Sequence, residues 1–253
     1  MSKKRISKSA AQNSKLLRTR GMAMAVKLYK YEGLGMSRSQ LSKALREMPY
    51  EPKDDKDVTS GFASARASGE TVVGEYVAGF RVPILTYDEN GDLTPEHYVS
   101  MDKAEVIVKL DRGTIEVRGS QRIANKVVRD IEEASGATIS PLNLDGGAKK
   151  LYDSAADIAS VMLTGIEKDV GNLKKAQFIG EGIQTEDDIL MYTRRYKGSI
   201  SRFRGTFPYP SGAFLTTSVN TEKGSLLIYK SGDGIREADL DWIVTMMEDS
   251  AVG

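Results

Sequence analysis

With one histidine, His97, and no cysteine, the sequence lacks a multi-histidine metal set, a thiolate nucleophile and any cysteine-ligated zinc or iron-sulfur site. His97 follows Pro95 and Glu96 where a strand begins, an ordinary surface setting. Asp88, Asn90 and Asp92 match the first alternate positions of a calcium loop. Leu93 then stands where the loop needs glycine and Val99 where it needs a bidentate glutamate, so a hairpin turn accounts for these residues better. In "LDGGAKKLYDSAAD", residues 144–157, a glycine pair leads into a helix with Lys149 and Lys150 nearby, which in outline could hold an anion. The phosphate-loop and dinucleotide spacings are missing, and a strand-to-helix turn is the better reading. Acidic clusters at Asp54, Asp55 and Asp57 and at Glu186, Asp187 and Asp188 have no base, nucleophile or metal partner beside them in sequence. The expectation is a chain with no catalytic residue, no metal and no cofactor, and not an enzyme.

Cations are the side chains that do cluster. Residues 1–50 hold twelve Lys/Arg against Glu32 and Glu47, a net of +10, while the remainder carries −9 within an overall charge of +1. Such asymmetry suits a basic arm that meets a polyanion, or one that docks on an acidic protein surface. A second group lies in "MYTRRYKGSISRFRGTFPY", residues 191–209. A hairpin turning at Lys197-Gly198 would set Arg202 and Arg204 on one face, with Phe203 and Phe207 on the other and Arg194 and Arg195 on the preceding strand. Arginines there could bind phosphates with aromatics stacking beside them. Plain amphipathic alternation would produce the same pattern.

The expected function is non-enzymatic nucleic-acid binding, DNA favoured over RNA. Lys15, Arg18, Arg20, Lys27, Arg38, Ser39, Lys43 and Arg46 form the main contact, and Arg194, Arg195, Arg202 and Arg204 the second. The alternative is a subunit of a homo-oligomer or larger particle whose basic arm docks on acidic neighbours.

Helices are expected to carry the arm. Leu17, Gly21, Met24, Leu28 and Tyr31 recur at helical spacing over 14–31. In "GMSRSQLSKALREM", residues 35–48, Ser37 and Gln40 form a capping box before an apolar stripe of Leu41, Ala44, Leu45 and Met48. Opposite that stripe lie Arg38, Ser39, Lys43 and Arg46, so the pair has the outline of a helix-turn-helix.

The domains read as this arm at 1–50, a linker at 51–70, and two α+β units at 71–145 and 146–253. The first unit opens with two hairpins. One is a long strand carrying Pro83 that turns at Asn90-Gly91; the other turns at 111–113 and leads into a helix from Ser120 to Gly136. "GTIEVRGSQRIANKVVRDIEE", residues 113–133, is similar to the glycine-ended hairpin leading into a helix in one half of the TATA-binding-protein saddle. That resemblance covers about a tenth of the chain, implies only an order of elements, and transfers no functional residue. In the second unit a strand at 137–145 precedes a helix over 151–173. Strands follow at 174–183, 188–196, 199–207, 213–219 and 225–229, then a final helix with Trp242, Ile243, Met246 and Met247.

The fold class expected is therefore α+β, a basic helical arm followed by antiparallel sheets covered by helices, in two similar hairpin-plus-helix units. No apolar run reaches the roughly 20 residues of a membrane helix, and the first residues lack the apolar core of a signal peptide. The expected location is cytoplasmic or nucleoid-associated, without a membrane partner.

Overall fold

The structure is a computed structural model that describes residues 8–19, 21–52, 58–144, 146–167 and 172–251. The chain is α+β, with antiparallel strands and helices packed against them. It forms two compact units, Lys27–Ser140 and, built from both ends of the chain, Met1–Val26 with Pro141–Gly253.

In the Lys27–Ser140 unit the strand order is β3 (Ser60–Ser68), β4 (Thr71–Tyr87), β5 (Leu93–Lys109), β6 (Thr114–Arg118) and β2 (Ala23–Glu32), with β7 (Thr138–Pro141) also paired to β2. Alternate residues Val72, Tyr76, Ala104, Val106, Ile115 and Val117 point to one side. There they meet Leu41 and Leu45 of helix α2 (Arg38–Arg46) and Ile123, Val127 and Ile131 of helix α3 (Gln121–Ser135). The expected capping box of α2 is present: Ser37 Oγ accepts from Gln40 N, and Gln40 Oε1 accepts from Ser37 N at 2.9 Å. Ser120 opens α3 without capping it, since its hydroxyl donates to Asp102 at 2.8 Å; Gly136, at φ 70°, ends the helix. Gly61 is dictated by contact, because a Cβ there would lie 2.5 Å from the Pro49 carbonyl oxygen. That approach lets the chain after α2 run beside β3, so half of the stretch expected as a linker is sheet.

Strands β4 and β5 pair along their whole length, from Thr71↔Lys109 to Tyr87↔Leu93. Asp88 Oδ1 closes the tip by accepting from the amides of Asn90 and Asp92, each at 2.9 Å, so these residues serve a turn. β3 reaches only Ala78 and β6 only Glu105. Beyond those points the hairpin continues as a two-stranded ribbon. The base of the ribbon is held by α3, whose Arg122 guanidinium and Lys126 ammonium lie 4.3 and 5.0 Å from the centre of the Phe80 ring.

The other unit orders its strands β12 (Ser225–Tyr229), β11 (Phe214–Asn220), β10 (Ser199–Pro208), β8 (Asp157–Thr164) and β9 (Lys175–Ile179). Its three longer helices are α4 (Ala148–Asp153), α5 (Asp187–Arg194) and α6 (Glu237–Ala251). They all serve the same face of the sheet: Tyr152 of α4 meets Phe203, Tyr192 of α5 meets Phe178, and Trp242 of α6 meets Tyr209, with ring centres 5.3–5.5 Å apart.

The N-terminal segment contributes helix α1 (Lys8–Gln12) and strand β1 (Leu16–Leu17), the latter paired with β13 (Ile235–Arg236). It caps α6 through one backbone and one side-chain acceptor: Lys15 O accepts from Glu237 N at 2.9 Å and Ser14 Oγ from Ala238 N at 3.3 Å.

Several expected elements are corrected. Residues 14–31 form β1, a turn and β2 rather than a helix, so no helix-turn-helix exists there. Gly21 sits at φ 76°, which ends any helix, and β2 has apolar residues on both faces, which blurred its period-two signal. The helix expected over 151–173 stops at Asp153 and gives way to β8. There a bulge at Ala159 puts Ile158 and Val161 on the same buried face, three residues apart, and so imitates helical spacing. Residues 188–196, expected as a strand, belong to α5, whose first turn carries Asp187 and Asp188 where the helix dipole favours acids.

Buried phenols, among them Tyr76, Tyr152 and Tyr209, set an alkaline limit on stability. Burial raises the Tyr152 hydroxyl to about 12; it also raises Tyr76 and Tyr209, with the carboxylates of Asp130 and Asp239 adding to the rise. Groups whose folded pKa is raised stabilise the fold fully below their unfolded value, near 10, and lose that contribution as pH climbs through the folded value. The urea midpoint is expected to hold to about pH 9.5 and fall steeply beyond pH 10. Tyr152 Oη is buried with no hydrogen-bond partner among the described residues, so Tyr152→Phe should leave neutral-pH stability unchanged or slightly higher and soften the alkaline loss.

Candidate nucleic-acid interface

On β10 the side chains alternate. Ser201, Phe203, Gly205 and Phe207 are buried against the helices, while Arg202 and Arg204 are exposed on the opposite face. Register extends that outer face across the sheet: Arg202 lies beside Asn220 and Met162, and Arg204 beside Ser218 and Ser160. One strand further, Gln177 and Ile179 of β9 and Leu227 of β12 continue it. Tyr229 lies on the same face by alternation, and the Arg204 guanidinium sits 5.0 Å from its ring centre. Helices α4, α5 and α6 pack on the opposite face. The result is two outward arginines on alternate positions, one with its guanidinium over an aromatic ring, on a face that mixes serine and amide side chains with apolar Met162, Ile179 and Leu227. This arrangement can bind phosphate oxygens and offer planar surfaces to bases.

The other expected contacts fall elsewhere. Arg194 is exposed on the last turn of α5, and Arg195, just past it, lies 5.6 Å from the ring centre of Tyr196. Gly198 N donates to Tyr192 O at 2.9 Å and Lys197 takes φ 53°, so Lys197-Gly198 ends a helix and does not turn a hairpin. Arg194 and Arg195 are thus not strand partners of Arg202 and Arg204. Lys15 and Arg18 are exposed in the same unit, Lys27 is half-buried on β2, and Arg20 lies outside the described residues.

On α2, Arg38 donates to the Gly69 carbonyl and lies 3.1 Å from Glu70, Lys43 lies 3.8 Å from Glu47, and Arg46 donates to the Ser42 carbonyl at 3.2 Å. Ser39 is exposed. Each of these three cations thus has a partner within its own unit.

The sequence matches no protein-family model, and no curated protein is similar to it.

His97 is exposed on the ribbon opposite Pro83. Among the described residues no group of three or more His, Asp or Glu is arranged to hold a metal ion. A cavity of about 400 Å³ is lined by Asn143, Lys149, Thr193, Ser199 and Glu222 among others. Thr164 donates to Glu222 at 3.2 Å and Lys149 pairs with Asp153 at 2.7 Å. No described helix is long and apolar enough to cross a membrane.

Tyr229 and the hydroxyl-bearing neighbours escaped the sequence reading because strand register alone brings them to the arginines.

Proposed function

We propose that the chain is a non-enzymatic nucleic-acid-binding protein that engages a single-stranded segment on the outer face of the β12-β11-β10-β8-β9 sheet. The observation that carries this reading is the pair Arg202 and Arg204, outward on a central strand, with Arg204 stacked on Tyr229. Alternate residues of a strand lie about 7 Å apart along its axis, so the two arginines are placed to contact neighbouring phosphates of one extended strand. The stacked Arg204–Tyr229 pair gives a base a planar surface without demanding a particular base. Ser218, Asn220 and Gln177 supply hydrogen bonds around it. Lys15 and Arg18 add positive charge in the same unit, and DNA is the favoured polymer.

The test is binding of the full chain to labelled single-stranded DNA, the matching RNA and duplex DNA over a salt series. Single strands should bind with affinity falling by roughly 0.7 log units per log unit of salt for each phosphate contact. Arg202→Ala with Arg204→Ala should weaken binding at least tenfold and flatten that slope by about 1.4. Tyr229→Ala should weaken binding with the slope kept. A full chain with no salt-dependent binding, or a double variant indistinguishable from the parent, would overturn the proposal. If binding is lost only on replacing Arg38, Lys43 and Arg46, the contact belongs to α2.

A further inference from the structure

We infer that the protruding half of the β4–β5 ribbon is a self-association surface, on which the ribbon of a second copy of this chain packs face to face about a two-fold axis. Residues 79–87 and their partners on β5 extend about 30 Å beyond the rest of their sheet. One face of this ribbon is largely apolar and open: Leu85, Tyr87, Leu93 and Met101 keep 68, 74, 55 and 41% of their surface exposed, with Arg81 and His97 as the polar residues among them. Exposed Pro83 and Pro95 lie between them on the same face. Contiguous exposed apolar residues of this kind mark interaction surfaces, and a stable pair buries ~800 Å² per partner.

The ribbon also dictates how a partner approaches. Gly79 N donates sideways to Thr59 O at 2.8 Å, so the odd-numbered residues of β4 direct their backbone groups to the free edge. Pro83 falls on that set, and Pro95 falls on the corresponding set of β5, where it pairs with Leu85. Each free edge therefore lacks a donor midway, which obstructs addition of another strand. The open face has no such guard.

Self-complementarity selects a second copy as the occupant. Along the ribbon, Arg81 lies toward the base, Leu85 at the middle and Glu89 at the tip, where Asp88 and Asp92 add negative charge. A two-fold axis through Leu85 sets each Leu85 against its equivalent and each Tyr87 against the other copy's Pro83. It also brings each Arg81 to the other's Glu89, so the sign change along one ribbon is answered by its reversal in the partner.

The experiment is sedimentation of the full chain from about 1 to 100 µM, with circular dichroism and melting run on every variant. A dimer is expected. Leu85→Asp should make it monomeric without lowering the melting temperature, since the ribbon face lies outside the core. Arg81→Glu and Glu89→Arg should each weaken the dimer about tenfold or more, and the two together should restore it. A chain that is monomeric throughout would overturn the inference, as would a dimer that survives Leu85→Asp. Failure of the paired charge reversal to restore association would overturn the two-fold register. A monomer whose ribbon is protected from hydrogen exchange only by added lipid vesicles or oligonucleotide would assign the face to that partner instead.

Discussion

Glu116→Ala is expected to destabilise the chain by about 3–5 kcal/mol, toward the lower end because one of its cations keeps a second acid. Glu116 is 1% exposed on β6. It receives Arg118 Nε at 2.6 Å along its own strand and Lys109 Nζ at 3.2 Å from β5. Arg118 is itself buried and also reaches Glu105 at 2.9 Å. Removing Glu116 strips a buried guanidinium of its closest counter-charge, and the desolvation already incurred is no longer offset. Lys109 can extend its ammonium toward water and suffers less. Glu105→Ala, at the half-exposed end of the network, should cost no more than about 1 kcal/mol. Glu116→Leu combined with Arg118→Met should come back close to the parent, since an apolar pair of similar volume avoids the desolvation altogether. Urea unfolding of these variants measures all three; a loss below about 1 kcal/mol for Glu116→Ala would mean that water reaches this network.

That network shows where sequence reading runs out. Glu116 lies in "TIEVR", a strand whose alternation is plain, and alternation puts Glu116 on the face opposite Ile115 and Val117. Alternation assigns a face but not its burial, and the usual expectation for a charged residue is solvent. Elsewhere the pattern sufficed. The capping box at Ser37 and Gln40 is local chemistry and needs no tertiary information, and the long hairpin from Thr71 announces itself through period two and Asn90-Gly91. Where strands departed from regularity the pattern misled. A single bulged residue, Ala159, turned β8 into an apparent helix, and the two-sided β2 lost its alternation.

The candidate interface was legible in the same partial way. The alternation of Arg202 and Arg204 with Phe203 is visible in the sequence and is what β10 displays. Their neighbours are not visible, because Ser218, Met162 and Tyr229 are separated from them by 14 to 42 residues of chain and meet only through register. Charge counting pointed to the first 50 residues, yet a count is blind to local partners. Glu70 and the Gly69 carbonyl beside Arg38 come from the turn between β3 and β4, and the Ser14 hydroxyl and Lys15 carbonyl are committed to capping α6.

Asp239→Ala should cost about 3–4 kcal/mol and should release the start of α6 before the rest of the chain unfolds. Asp239 is fully buried in the first turn of α6 and accepts two hydrogen bonds from Ser211, from its amide at 3.0 Å and its hydroxyl at 2.7 Å. Its negative charge therefore faces two donors from the β10–β11 connection while lying at the positive end of the helix dipole. Alanine leaves the Ser211 amide without its acceptor in a dry setting and removes the tie between that connection and the helix. Ser211→Ala keeps the amide bond and loses only the hydroxyl, so about 1–2 kcal/mol is expected. Asp239→Asn, which can still accept but loses the charge, should fall between the two. The readout is built in, because the single tryptophan of the chain, Trp242, packs on Tyr209 with ring centres 5.3 Å apart, two residues before Ser211. In Asp239→Ala the tryptophan emission should shift to the red at a lower urea concentration than the loss of far-ultraviolet dichroism. Coincident transitions with a loss under 1 kcal/mol would show that Ser14 and Lys15, bonded to the amides of Ala238 and Glu237, hold the helix start without Asp239.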